Sequence, residues 1–320
     1  MKYSNLSLLI IFASIFLQFS KACPPVAYGH PSISLCDPNL EDSDNDGIPN
    51  IWEIDNGLDP CDPTDALRDK DCDAILNLFE YQMESNPNDP NSPQVEYFRL
   101  GDSEERFHEL VFSGYGGSVV IQMEGGDYQM NGMSYLFGVP LPAGSPTDSK
   151  RIMIQGGWNS DFSEYNPFCH PTRIIYSEFI FMGLPETDDL STMIYDGLDI
   201  SYVDDDRNGF TFSESFRSGV INLGFHNCAF HDNTGFVLDY RILNGAGPVN
   251  FNMINTSLRR NTISSAFILH EFTPPAQYNF INTVITEHFD DETPRGLLHF
   301  IHSDTAVSYT HLTLPTTPYV

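Results

Sequence analysis

Asn222-Leu-Gly-Phe-His-Asn-Cys-Ala-Phe-His-Asp-Asn-Thr234 is answered 28 residues later by Asn250-Phe-Asn-Met-Ile-Asn-Thr-Ser-Leu-Arg-Arg-Asn-Thr262. Asn222 matches Asn250, Phe225 matches Met253, Asn227 matches Asn255, Phe230 matches Leu258, and Asn233-Thr234 matches Asn261-Thr262. A third copy follows at a spacing of 27, with Phe280-Ile-Asn282-Thr283 on Met253-Ile-Asn255-Thr256 and Ile285 on Leu258. A unit this short cannot bury its apolar face alone, so such units must stack on one another. Alternating apolar residues at this pitch fit one coil of a parallel β-helix. Asn227, Asn255 and Asn282 would then stack at one corner, because buried amides must find partners.

The surrounding text agrees. From Tyr97 to Ser303, short apolar runs alternate with turns of Gly, Asn, Asp and Pro, and long helical patterns are absent. Val119-Val-Ile-Gln-Met123, Arg151-Ile-Met-Ile-Gln155, Met193-Ile-Tyr195 and Gly219-Val-Ile-Asn-Leu223 are such runs. Ile152-Met-Ile-Gln-Gly-Gly-Trp158, Asp196-Gly-Leu-Asp-Ile200 and Val120-Ile-Gln-Met-Glu-Gly-Gly-Asp-Tyr128 join the repeats in resembling the pectin-lyase-like right-handed parallel β-helix of secreted and surface bacterial proteins. A β-sandwich is the competing architecture; it predicts turns every 8 to 12 residues or so without the long-period echo.

A second repeat lies upstream. Asp42-Ser-Asp-Asn-Asp-Gly-Ile-Pro-Asn-Ile-Trp-Glu53 reads as a twelve-residue calcium loop, with Asp42, Asp44, Asp46, Ile48, Asn50 and Glu53 at positions 1, 3, 5, 7, 9 and 12. Gly47 takes the sharp turn, Ile48 contributes its carbonyl, and Pro49 suits the start of a short helix. The pattern returns 27 residues on, with Asp69, Asp71, Asp73, Ile75, Asn77 and Glu80 in the ligand positions and Ala74 in place of the glycine. Alanine adopts that turn geometry at greater cost. Asp59-Pro60 and Asp62-Pro63 recur as Asn86-Pro87 and Asp89-Pro90 at the same offset, so the unit extends past the loops. These residues resemble thrombospondin type 3 or EF-hand-like calcium repeats over about residues 37 to 90, and Ca2+ is the expected cofactor.

Composition bounds the partners. The 320 residues carry 44 acidic against 15 basic side chains, a formal charge of −29. Between Asp37 and Asp89 stand 16 acidic and 2 basic residues, so about half of the net charge sits in a sixth of the chain. Such a balance repels nucleic acid and anionic membrane surfaces, and no basic stripe offsets it.

Met-Lys-Tyr-Ser-Asn, an apolar run from Leu6 to Leu17 and Ser20-Lys-Ala22 describe a secretory signal cleaved before Cys23. A lipoprotein signal acylated on Cys23 is the alternative. Later apolar runs are too short to cross a membrane. Six cysteines in an exported chain point to disulfides. Cys23, Cys36, Cys61 and Cys72 allow three pairings, of which Cys61 with Cys72 and Cys23 with Cys36 is one guess. Cys169 and Cys228 suit burial as well as bonding. The run from Val307 to Val320 looks like a translated sequencing adapter, which leads to the expectation that the native chain continues differently.

Other sites are weaker. Asp204-Asp205-Asp206 could supply paired acids for glycan chemistry, but it lies in a turn-like run that suits a solvated loop. Glycan hydrolases of the resembled fold also show a Gly-His-Gly element, absent here, and an Arg-x-Lys element, broken at Arg241. His170, His226 and His231 read as surface or corner residues; His226 and His231 are five apart, poor geometry for a shared metal on a strand. Ser113-Gly-Tyr-Gly-Gly-Ser118 lacks the features of a phosphate loop. Trp158 and Tyr128 could stack on sugars or fill a core.

The expected fold is mainly β: a right-handed parallel β-helix over 97 to 306 behind a linker at 91 to 96, preceded by a small calcium-binding repeat module at 37 to 90. Residues 1 to 22 would be the signal, 23 to 36 a short lead and 307 to 320 a non-native tail. The expected function is a secreted or cell-surface calcium-binding protein that acts structurally or by adhesion toward a glycan or surface protein. An extracellular polysaccharide lyase or glycoside hydrolase is the alternative.

Overall fold

The computed structural model describes residues 41–113, 117–129, 150–175, 180–183, 190–201, 210–214, 221–232, 238–242, 249–259, 267–271, 276–286, 298–301 and 305–310. The signal segment, Cys23, Cys36, the Asp204 to Asp206 run, Asn233-Thr234, Asn261-Thr262 and residues 114–116 of the glycine-rich 113–118 stretch lie outside them.

The chain is mainly β, and every ladder between its named strands is parallel. Among the described residues there are three sheets. An eight-stranded sheet takes Gln94–Phe98, Ser118–Glu124, Lys150–Trp158, Leu190–Asp196, Ile221–His226, Val249–Ile254, Ala276–Ile281 and Thr305–Thr310 in chain order. A six-stranded sheet collects the short strands that follow most of these, from Gly126–Gln129 to Val284–Thr286. A five-stranded sheet runs from Ile180–Gly183 to Leu298–Ile301. Each strand pairs with its equivalent one repeat away, an arrangement consistent with a β-helix and incompatible with an antiparallel sandwich.

The registers follow the sequence repeat. Asn222 pairs with Asn250 and Phe225 with Met253, Met253 pairs with Phe280, and Phe230, Leu258 and Ile285 form one row. Alternate side chains of the eight-stranded sheet point into the coil, where Tyr195, Phe225, Phe251, Tyr278 and Phe280 are buried. Tyr195 stacks on Phe225 at 5.2 Å between centroids, and Phe251 lies 5.8 Å from Tyr278 and 6.0 Å from Phe280. Burying a ring of this size contributes roughly 1.5–3 kcal/mol, so this aromatic row is a main source of cohesion between coils.

The corner ladder also forms. Asn227, Asn255 and Asn282 all hold left-handed backbone, with φ of 51°, 50° and 50°. Asparagine tolerates that region because its short amide bonds locally. Asn282 Nδ2 donates to Asn255 Oδ1 at 3.1 Å. At Asn227 the ladder ends, its amide donating instead to Asp196 Oδ1 and to Tyr165. One residue on, Thr256 and Thr283 bond the carbonyls of Phe225 and Met253, and the Cys228 thiol stands in the same place against the Tyr195 carbonyl.

Several expectations change. The 91 to 96 linker ends at Asn91-Ser-Pro93, because Gln94–Phe98 is already the first strand of the large sheet. Glu104–Ser113 is a helix, started by Ser103, whose Oγ accepts the Arg106 N–H at 3.2 Å. Its Phe107 packs on Phe98, 5.1 Å between centroids, which covers the end of the core. Trp158 and Tyr128 are 2% and 6% exposed, so they are core fillers and cannot stack on a sugar. His226 is 3% exposed and therefore not a surface residue. The expected tail boundary at 307 falls inside Thr305–Thr310, which pairs with Ala276–Ile281.

Asn255→Ala removes the ladder acceptor and leaves a Cβ in left-handed backbone, and we expect a loss of about 2 kcal/mol. Asn255→Gly keeps the backbone at ease and should lose about half as much. Denaturant titration followed by circular dichroism checks this; equal losses would contradict the backbone account.

Candidate metal centre

The two acidic loops fold as congruent units. In the first, Asp42 Oδ1 accepts the Asn45 N–H at 2.7 Å and Oδ2 the Gly47 N–H at 3.1 Å, while Asp46 Oδ1 accepts the Ile48 N–H at 2.8 Å. In the second, Asp69 takes the Cys72 and Ala74 N–H groups at 2.6 and 2.9 Å, and Asp73 takes Ile75 at 2.8 Å. Each loop leads into a seven-residue helix, α1 (Asn50–Asn56) and α2 (Asn77–Met83). Both helices end on left-handed backbone, at Gly57 and Glu84. Lys70 Nζ donates to the carbonyls of Asn56 and Gly57 and so caps α1.

This scaffold turns carboxylates inward. No hydrogen-bond donor reaches either buried oxygen of Asp44, Glu53 or Asp71, nor Asp46 Oδ2, Asp65 Oδ1 and Glu80 Oε2. Glu53 and Glu80 are fully buried. A carboxylate removed from water without a donor or a cation is strongly disfavoured. The ligand atoms of Asp42, Asp44 and Asp46 lie within 4.8 Å of one another, as do those of Asp46, Glu53 and Asp65, and those of Asp69, Asp71 and Asp73. Oxygen-only sets of this kind suit a hard divalent cation.

The remaining expected positions divide. Ile48 and Ile75 bury their side chains completely. The Asn50 amide accepts the Ser43 N–H at 2.9 Å and donates to Ser43 Oγ at 2.7 Å, bracing the loop from inside. Asn77 donates to the Asp65 carbonyl at 2.8 Å, and no donor reaches its buried Oδ1. Glu80 stands outside the 4.8 Å set of the second loop.

Asp65 was missed by the loop pattern because it lies between the repeats. Its Oδ2 accepts the Asp59 N–H at 2.8 Å, as Ser92 Oγ accepts the Asn86 N–H at 3.2 Å one repeat later. The acid in place of serine at that equivalent position is the signal that marks it. The first loop thereby gathers five carboxylates against three in the second, beside which Glu80 stands outside the set.

Ala74 holds φ of +75° where Gly47 holds +96°. Its methyl packs against Trp158, Phe162 and Tyr165, which offsets the backbone strain and accounts for alanine in a glycine position. Cys61 and Cys72 are both disulfide-bonded, while Cys169 and Cys228 are free.

The acidic segment does not merely precede the sheets. Ile48, Ala66, Ile75, Leu76, Leu78, Phe79 and Met83 form one apolar cluster with Val120, Met153, Ile194 and Ile254 from the outer face of the eight-stranded sheet. Phe79 lies on His226, 5.5 Å between ring centroids.

Burial, reinforced by neighbouring acids, raises these carboxyls. Asp44 and Asp71 are pushed up to about 6, Asp46 to about 7, Glu53 and Asp73 to about 8, and Glu80 to about 9. Burial raises Asp65 and Asp69 as well.

A scan against family models and searches of curated proteins and of solved structures return no match. Among the described residues no helix is long and apolar enough to cross a membrane.

The raised carboxyls set a pH dependence. Without metal, the folded chain holds protons that the unfolded chain releases near pH 4, so stability falls as pH rises toward about 9. A cation displaces those protons and reverses the trend. In chelator the melting temperature should therefore be lower at about pH 8 than at about pH 5, and in millimolar calcium the order should invert. A calorimetric scan showing the same fall in both media would contradict metal engagement.

Proposed function

We propose that the chain is an exported, calcium-stabilised protein in which a pair of thrombospondin type 3-like calcium loops is clamped onto a right-handed parallel β-helix. Its role is structural or adhesive at the cell surface or outside the cell. Right-handed crossovers are the rule for parallel strands joined within a sheet. The observation that carries the reading is that buried carboxylate oxygens of Asp44, Glu53, Asp65, Asp71 and Glu80 are reached by no donor, all but Glu80 lying in the close-set acidic groups. Asp42, Asp46, Asp69 and Asp73 complete the two sets. Calcium replaces mutual repulsion by coordination, so the segment is rigid at extracellular calcium and loose without it. Export is supported by the amino-terminal signal pattern and the disulfide-bonded Cys61 and Cys72. A polysaccharide or a surface protein remains the class of partner this reading favours.

One cluster bears on the glycan-active alternative and weighs against it. The outer face of the six-stranded sheet carries a charged row: Arg173 bonds Asp127 at 2.7 Å and faces Asp199 at 3.5 Å, and His231 sits 2.7 Å from both Asp199 and Asp232. The two carboxylates hold the His231 imidazole above its ordinary pKa, Asp199 most of all. These charges compensate one another, which suits a ladder between coils better than an open catalytic cleft.

Trp52 stands at position 11 of the first loop and meets Tyr81 edge-on at 5.4 Å between centroids. It is one of two tryptophans, so the Trp158→Phe chain isolates it. Its emission should change and saturate on calcium titration, and Asp44→Asn with Glu53→Gln should abolish the change. A flat response up to millimolar calcium would overturn the metal reading.

A further inference from the structure

Gln155 of the eight-stranded sheet is fully buried, and its amide is used at both ends. Nε2 donates to the Ala74 carbonyl at 2.8 Å and to Asp196 Oδ2 at 3.0 Å. Oε1 accepts from Trp158 Nε1 at 3.0 Å and from Gln122 Nε2 at 3.2 Å. Ala74 is the turn residue of the second acidic loop, held at positive φ. Beyond Gln155 the chain of contacts continues, with Asp196 Oδ1 lying 2.9 Å from His226 Nδ1, and His226 under the Phe79 ring.

The far end of α2 is tied to the same face. Thr192 Oγ1 donates to the Gln82 carbonyl at 2.8 Å, Ser118 Oγ bonds the Met83 carbonyl, and Arg151 pairs with Glu84. The Gln82 and Met83 carbonyls are among those that a helix end leaves without partners, and Glu84 offers its side-chain carboxylate. The first loop has no equivalent among the described residues. In α1 the positions matching Leu78 and Tyr81 are Ile51 and Ile54, 66% and 60% exposed, and Lys70 takes the end carbonyls.

We propose that the sheet is the scaffold of the second metal loop only: Gln155, fixed by Asp196 and Trp158, positions the Ala74 turn, and Thr192 positions the end of α2. The second site is thus assembled by hydrogen-bonded docking on the sheet, whereas the first loop meets the shared core through Ile48 and has its helix end capped by Lys70. This rests on the calcium reading above. By linkage, calcium at the second loop tightens the module on the sheet by the same factor that docking tightens calcium, and its release loosens the clamp at that loop first. Gln155 and Thr192 are positioning residues, since neither belongs to the carboxylate sets.

The test is calorimetric calcium titration of the full chain in two backgrounds. Asp44→Asn with Glu53→Gln leaves the second site to be read, and Asp71→Asn with Glu80→Gln leaves the first. Gln155→Met should weaken the second site about tenfold and Thr192→Val severalfold, each having lost a buried hydrogen bond. Both should leave the first site within about twofold. Unchanged second-site affinity in both variants, with the strand circular dichroism intact, overturns the proposal, as does equal weakening of the two sites. If Gln155→Met loses the strand signal, the isosteric Thr192→Val decides alone. Absence of calcium heat in the unsubstituted chain would instead overturn the metal reading on which the proposal rests.

Discussion

Carboxylates that are buried with no donor to receive constrain everything else in the amino-terminal third of this protein. Glu53 and Glu80 are withdrawn from water at the ends of loops whose backbone amides are already committed to Asp42, Asp46, Asp69 and Asp73. Folding therefore brings like charges together with few hydrogen bonds to tolerate them, none at Glu53 and one long contact from Ser85 at Glu80. Protonation or a divalent cation must make up the difference, and under the proposed reading a cation would do so at neutral pH without giving up the charge.

The sheets explain why the chain can hold such a segment in place. Val120, Met153, Ile194 and Ile254 give the outer face of the large sheet an apolar stripe, and α2 lays Phe79 and Met83 on it. The polar atoms beside the stripe are satisfied across the same contact, by Gln155 to Ala74 and Thr192 to Gln82. Acidic loop, helix and sheet share one core, so the packing of the loops and the β architecture are energetically one problem.

Much of this was legible in the sequence because period and chemistry coincide. Stacked coils put equivalent residues in register, so Asn255 and Asn282 recur at the pitch at which they bond. The alternate aspartates of the loops likewise recur in phase, and the two loops fold with matching hydrogen bonds. Docking was less legible. Val119-Val120-Ile121 and Ile152-Met153-Ile154 are unbroken apolar runs, a mark of strands buried on both faces, but a run of three does not say what covers the second face. Asp65 escaped the loop template because its role comes from a turn between the repeats, and His226 because burial under Phe79 depends on a contact well over a hundred residues distant in the chain. The helix from Glu104 is encoded by a local Ser103 cap that the surrounding strand pattern obscured.

Thermal unfolding of the full chain at neutral pH in millimolar calcium, in the same concentration of magnesium and in chelator tests the central claim most directly. A ligand present at about a hundred times its dissociation constant stabilises the state that binds it by about 2.7 kcal/mol. The account predicts a clear upward shift in calcium over chelator, a smaller one in magnesium, whose rigid octahedral demand these flexible oxygen sets meet poorly, and loss of the shift on combining Glu53→Gln with Glu80→Gln. Identical melting in all three media would show that the buried carboxylates are borne by protonation alone and would contradict it.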